Sequence, residues 1–225
     1  MFGGQNDGLG KRSRDCSDGY WCLCDLLDKQ SEELMGLDMF LYRVRTTDVL
    51  DTHKHSKKDK TPAKFLDGDA LRERFGQLFY AGAVGDAHYW RKFNALHNWF
   101  VKKVQDGVDE CQIGKPVTLE MLQELHDKLH KVIDVFTDAI ACGNTVGRIP
   151  QENDMWYGEW GIKKGSKHEK QLKSLFPTAE GFFFGNTSYG RDYLNDVTET
   201  YDWLTQFLGN KSELDGYTLF YHSSW

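Results

Sequence analysis

The sequence predicts an α+β domain, a small β-sheet packed against a layer of about four helices. Three observations predict it. Short runs dense in aromatic and β-branched residues lie near 38–46, 181–185 and 217–223, at both ends of the stretch 35–225. Between them, apolar residues recur at spacings of three and four, the signature of amphipathic helices. The chain's 225 residues, 40% hydrophobic and 14% aromatic, suffice for one domain with a substantial core. No internal repeat or low-complexity tract interrupts this pattern.

Residues 1–34 are Gly- and Asp-rich at first and then read WCLCDLLDKQSEEL, enough for a short helical turn. They are expected to form a loosely ordered N-terminal extension, with Met35 opening a single domain over 35–225. The run Met39 to Arg45 reads as a strand, with Arg43 and Arg45 spaced for one face. The polar stretch TTDVLDTHKHSKKDKTPAK holds Lys54, Lys57, Lys58, Lys60 and Lys64 and predicts a solvated loop. Asp69 is placed to cap a helix carrying Leu71, Phe75, Leu78 and Phe79. Gly82 and Gly85 then break the chain ahead of a main helix over 87–105, which Gly107 ends. Lys102 and Lys103 fall in its last turn, where the helix dipole favours cations.

Thr118 caps a third helix whose stripe is Leu122, Leu125, Leu129, Val132, Phe136 and Ile140, closed by Gly143. Pro150 to Ser174 reads as a long polar loop with Trp156, Tyr157 and Trp160 as aromatic anchors, and loops of that length inside a domain are often functional. Gly181 to Gly185 (GFFFG) is expected as a short buried strand. A last helix puts Leu194, Val197, Tyr201, Leu204 and Leu208 on one face, and Tyr217 to His222 form a final strand.

A net charge of −6 and a pI near 5.7 disfavour general nucleic-acid binding. No apolar run approaches the roughly 20 residues that span a bilayer. The first residues hold no apolar h-region, so a cytoplasmic address is expected. Five cysteines, an odd number, fit reduced thiols. Cys16, Cys22 and Cys24 miss the paired spacing of structural zinc sites. His53 and His55 sit among lysines that repel cations, and His126 and His130 (HDKLH) lack the glutamate of an HExxH protease. No metal is therefore expected. Phosphate loops, dinucleotide fingerprints and nucleophile elbows are missing too, so the sequence names no cofactor.

On a helical wheel of 87–105, Tyr89, Phe93, Leu96, Phe100 and Val104 share a face. His97 falls inside that apolar arc and Asn94 at its edge. Two accounts fit His97: a core histidine held by a hydrogen bond, or a pocket imidazole with Trp90 as a wall and Asn94 as a second polar tip. In the second account His97, Asn94 and Arg91 are the catalytic candidates, and Trp90, Lys92, Trp156, Tyr157 and Trp160 the ligand-binding ones. Arg91 and Lys92 would hold a phosphate as guanidinium fork and point charge, although the wheel turns Arg91 away from His97.

The segment YWRKFNALHNWFV (Tyr89 to Val101), with YAGAVGDAH before it and QDGVDEC after it, resembles a family of uncharacterised proteins from tailed bacteriophages and prophages. The GFFFG segment after Pro177 and the terminal Ser223-Ser224-Trp225 agree with that family in order. The resemblance covers roughly 35–225 and departs in the first 34 residues and in the 151–173 loop. It implies a viral origin and carries no mechanism. Two functions are expected from this. The first is a phage-encoded accessory protein in the host cytoplasm, binding a host bacterial protein, a nucleoprotein or a small nucleotide-like signal to inhibit bacterial immunity. The alternative is an enzyme on a phosphorylated or nucleotide substrate, with His97 as general acid or base and Arg91 and Lys92 as clamps.

Overall fold

Strand β1, Asp38–Arg45, is apolar on both faces because both are covered, which is why it reads as a nearly continuous hydrophobic run. In the computed structural model, which describes residues 36–51, 64–147, 160–181, 184–210 and 214–225, β1 is the central strand of a three-stranded antiparallel sheet. It pairs on one side with β2, Gly85–Arg91, and on the other with β5, Tyr217–Ser224. The register sets Phe40 opposite both Tyr89 and His222, and it shifts between Leu41 and Tyr42, so that Ala87 has no partner in β1. A second, two-stranded sheet joins β3, Thr145–Val146, to β4, Gly161–Ile162.

Five α-helices and a 3-10 turn, Thr46–Val49, complete the described residues: α1, Gly68–Tyr80; α2, Asn94–Val104; α3, Leu119–Ala141; α4, Lys167–Leu175; and α5, Arg191–Gly209. The sheet lies between two apolar clusters. Met39, Leu41, Leu219 and Tyr221 face the larger one, built from α2, α3, α4 and α5. Tyr42, Val44 and Phe220 face Leu71, Phe75 and Leu78 of α1. The protein is thus α+β with a small sheet, as its sequence implies. No described helix is long and apolar enough to cross a membrane.

Several elements differ from expectation. The helix read over 87–105 is two elements: β2 runs through Arg91, and α2 begins at Asn94. Lys92 between them takes a left-handed φ of 58°, and its amide donates to Leu37 O at 2.7 Å, which stops any helix upstream. Tyr89 and Trp90 suit a pleated surface, and pairing with β1 overrides the helical spacing of Tyr89, Phe93 and Leu96. β2 is therefore the third strand. Gly181, Phe184 and Gly185, the described residues of the segment expected to be that strand, lie outside any strand.

Helix α1 starts one residue before Asp69, with Asp67 at its N-cap position making no side-chain cap bond. In α3, Thr118 Oγ1 accepts from the Met121 amide as expected, but Ala139 rather than the exposed Ile140 completes the buried stripe. The end of the stretch read as a 150–174 loop holds β4 and α4, the latter capped by Ser166, whose hydroxyl accepts from the Glu169 amide. Residues 1–35, His53, His55, Trp156, Tyr157, Phe182 and Phe183 lie outside the described residues.

Candidate functional site

His97 sits on α2 with its ring 2% exposed. Its Nδ1 is 2.7 Å from the Tyr221 hydroxyl on β5, and its Nε2 is 2.7 Å from Asp109 Oδ2 in the loop after α2. A carboxylate only accepts, so Nε2 carries a proton toward Asp109. Burial holds the Tyr221 phenol well above its ordinary pKa, so its proton stays on. Burial also pushes the Asp109 carboxyl up, but hydrogen bonds from His97, the Trp225 side chain and the Cys111 backbone outweigh it, and the pKa is lowered. Phe184 lies edge-on to the His97 ring, with centroids 4.9 Å apart, and Trp225 packs against Phe184. Both ring nitrogens are committed, and the ring joins helix, loop and strand.

Asn94 is buried and fully paired. Its Nδ2 donates to Phe184 O at 3.0 Å and Asn186 O at 2.9 Å, and its Oδ1 accepts from the Ala179 amide at 3.1 Å. It thereby seats Ala179, Phe184 and Asn186 directly on α2. Trp90 is buried on β2, with Nε1 donating to Thr200 Oγ1 at 3.0 Å and its ring edge-on to Trp203. Arg91 is exposed on the same strand, 3.9 Å from the buried Asp38 carboxylate, which also accepts from the Tyr89 hydroxyl. Lys92 is exposed and lies against Gly36 and Gly185. Trp160 is buried beside Phe136 in the larger core. The structure therefore brings Asn94 and His97 under one segment, leaves Arg91 at the sheet edge with Asp38, and puts Trp160 elsewhere in the core.

Two further histidines, His126 and His168, tie helices together. His126 stacks on Tyr201 at 4.5 Å and its Nε2 is 3.1 Å from Thr205 Oγ1. The buried His168 donates from Nε2 to Asp138 at 2.8 Å, tying α4 to α3. His168, Lys167 and Cys142 together hold the Asp138 carboxyl down at about 2. Among the described residues no group of three or more His, Cys, Asp or Glu side chains could hold a metal ion.

An open cleft lies on the other side of the loop that carries Asp109. It measures about 610 Å³ and runs between the start of α1 (Phe65 to Arg72) and the end of α2 with its following loop (Val104 to Pro116). That loop is forced into its path. Asp106 (φ 55°) and Cys111 (φ 51°) are non-glycine residues in the left-handed region, where backbone strain collects at functional positions. The Gly107 amide donates to Val101 O, closing the helix end. Gly114 has no alternative: a Cβ there would sit 1.8 Å from Val104 O, which already accepts from the Lys115 amide at 2.7 Å.

Leu66, Leu71, Val108, Ile113 and Pro116 give the cleft apolar walls. Charge enters as Asp67, Asp106 and Glu110 against Arg72 and Lys115. Lys115 is 2.5 Å from Asp106, and Arg72 reaches 3.8 Å to Glu110 and 3.6 Å to Asp69. In the sequence Asp106, Asp109 and Glu110 are ordinary residues of a helix-end loop, and Arg72, Gly114 and Lys115 belong to no motif. The available signal was the pair Gly107 and Gly114 bracketing two acids, Asp109 and Glu110, with Asp106 just before them.

No known protein family, curated protein or solved structure matches this chain.

Proposed function

We propose that this protein acts by binding, and that a segment of a partner protein seats in the cleft between α1 and the 105–116 loop. In this reading it is a phage-encoded accessory protein that engages a host bacterial protein in the host cytoplasm and blunts immunity there. The observation that carries the binding role is the cleft itself. Its about 610 Å³ lies within the roughly 300–1,000 Å³ of ligand sites, with apolar walls and a few converging polar groups. The resemblance of Tyr89 to Val101, Gly181 to Gly185 and Ser223 to Trp225 to phage proteins supports the viral role.

The cleft's charges favour a polypeptide over a nucleotide-like signal. Three lining carboxylates face two cations, and each cation already has an acid within 4 Å, which leaves little field for a polyphosphate. Catalysis at His97 has less support still, since a general acid or base needs a nitrogen within reach of substrate, and the His97 ring is 2% exposed and does not line the cleft.

Affinity capture from host lysate tests the reading. The full chain is compared with a variant carrying Phe65→Arg and Val108→Arg, two exposed positions on the cleft wall. The wild type is expected to retain a host protein that the folded variant loses, with circular dichroism confirming the fold. Equal capture by both proteins would remove the cleft from the function.

A further inference from the structure

We infer that the group the cleft receives is a cation on an apolar stem, the side chain of an arginine or lysine of the partner protein. This rests on the reading of the cleft as the binding surface and adds the chemistry of the occupant. Four features point to it. The lining carboxylates Asp67, Asp106 and Glu110 outnumber Arg72 and Lys115, and Asp69, outside the lining, draws on Arg72 at 3.6 Å. The C-terminal end of α2, Val104 to Gln105, forms part of the wall, and a helix C-terminus carries partial negative charge, which Lys102 and Lys103 in its last turn reduce. The N-terminus of α1, which would favour an anion, has acids Asp67 and Asp69 in and beside its first turn, and these offset its positive end.

The fourth feature is how loosely Glu110 is held. Its contact with Arg72, at 3.8 Å between half-exposed groups, is beyond hydrogen-bond distance, and Arg72 is shared with Asp69. An incoming guanidinium or ammonium therefore meets an acid that it can hydrogen-bond at less cost than one already tightly paired, such as Asp106 with Lys115 at 2.5 Å. Leu66, Leu71, Val108 and Pro116 give the methylene stem an apolar surface to lie along while its head reaches the acids. A phosphate-bearing or carboxylate ligand would meet the same acids as repulsion.

The test titrates the isotope-labelled full chain with n-butylguanidinium, and separately with n-butyrate and adenosine monophosphate, following backbone amide resonances. Butylguanidinium is expected to give saturable shifts at Leu71, Val108, Glu110 and Gln112, weakening with added salt. In Glu110→Gln its affinity is expected to fall about fivefold, the size of a partly exposed charge pair. Butyrate and the nucleotide are expected to leave those resonances in place. The inference is overturned if either anion binds at the cleft as well as butylguanidinium does, or if Glu110→Gln binds unchanged. Cleft-dependent capture of a host protein without any butylguanidinium shift would sink the inference alone. Failure of both experiments would sink the reading beneath it.

Discussion

The 105–116 loop has two sides, and they are built on opposite rules. Inward, Asp109 meets His97 at 2.7 Å, and His97, only 2% exposed, meets Tyr221 at the same distance. Outward, Val108 is 54% exposed, and Lys115, Asp106, Arg72 and Glu110 form ion pairs in which every member is at least a third exposed. Buried polar groups bonded to one another hold a fold together and stand out of a ligand's reach. Exposed ion pairs contribute little to stability, so their arrangement around a void is free to serve binding. The conspicuous histidine is thus the structural side of the loop and the plainer charges are the available side.

The largest effect that follows is on the inward side. His97→Ala leaves a buried phenol and a half-buried carboxylate without their partner, and is expected to cost about 4 kcal/mol of unfolding free energy. Urea titration followed by tryptophan fluorescence measures it. A loss below about 1 kcal/mol, with binding abolished, would reverse the comparison and make His97 a functional group.

The neighbouring strand residue sharpens the same point through pH. Burial lowers the His222 pKa from 6.5 to about 4, against a smaller opposing effect of the Cys111 backbone. The folded value lies below the unfolded one, so the unfolded chain binds the extra proton first as pH falls. Stability is complete above pH 6.5 and declines between 6.5 and about 4, by about 3 kcal/mol at the lower end. His88, half-buried, is shifted in the same direction by burial and adds to the trend. Melting temperatures at pH 7.5 and 4.5 test this, and His222→Gln is expected to narrow the difference. An equal narrowing from a surface histidine such as His130→Gln would reject the assignment.

Between the two sides stands Gly114, whose absent Cβ lets the loop close on the end of α2. Gly114→Ala needs the loop to move away from Val104 O, and is expected to cost about 2 kcal/mol. The same displacement reshapes the cleft wall, so host-protein capture is expected to weaken together with stability. Capture unchanged at full strength would show that the cleft tolerates a different loop path and that its strain has no part in binding.

How much of this was legible depended on distance along the chain. β1, β5, α3 and α5 carry their own evidence in local period and composition, and they stand close to where the sequence put them. β2 was hidden because Tyr89, Phe93 and Leu96 imitate a helical stripe, while the pairing that makes a strand comes from Asp38 to Arg43. The break at Lys92 was hidden as well, since no glycine announces its left-handed turn. His97 and Asn94 stood out as polar residues on an apolar arc. Their roles depended on Tyr221, 124 positions away, and on the carbonyls of Phe184 and Asn186. The cleft left the weakest trace, because Arg72, Glu110 and Lys115 reach it from either side of a helix and a strand, and no local period links them.

The smallest stability effect is the most discriminating. Arg72 pairs with Asp69 and Glu110 through contacts of 3.6 and 3.8 Å, and its side chain is 41% exposed. Arg72→Ala is therefore expected to change unfolding free energy by no more than about 0.5 kcal/mol. It also removes the cation nearest Glu110, so butylguanidinium should bind a few-fold more tightly. A variant that leaves the fold untouched and improves cation binding separates the outward side of the loop from the inward side in one protein. If Arg72→Ala instead unfolds the chain as His97→Ala does, the outward charges are structural too, and the two sides of the loop follow one rule.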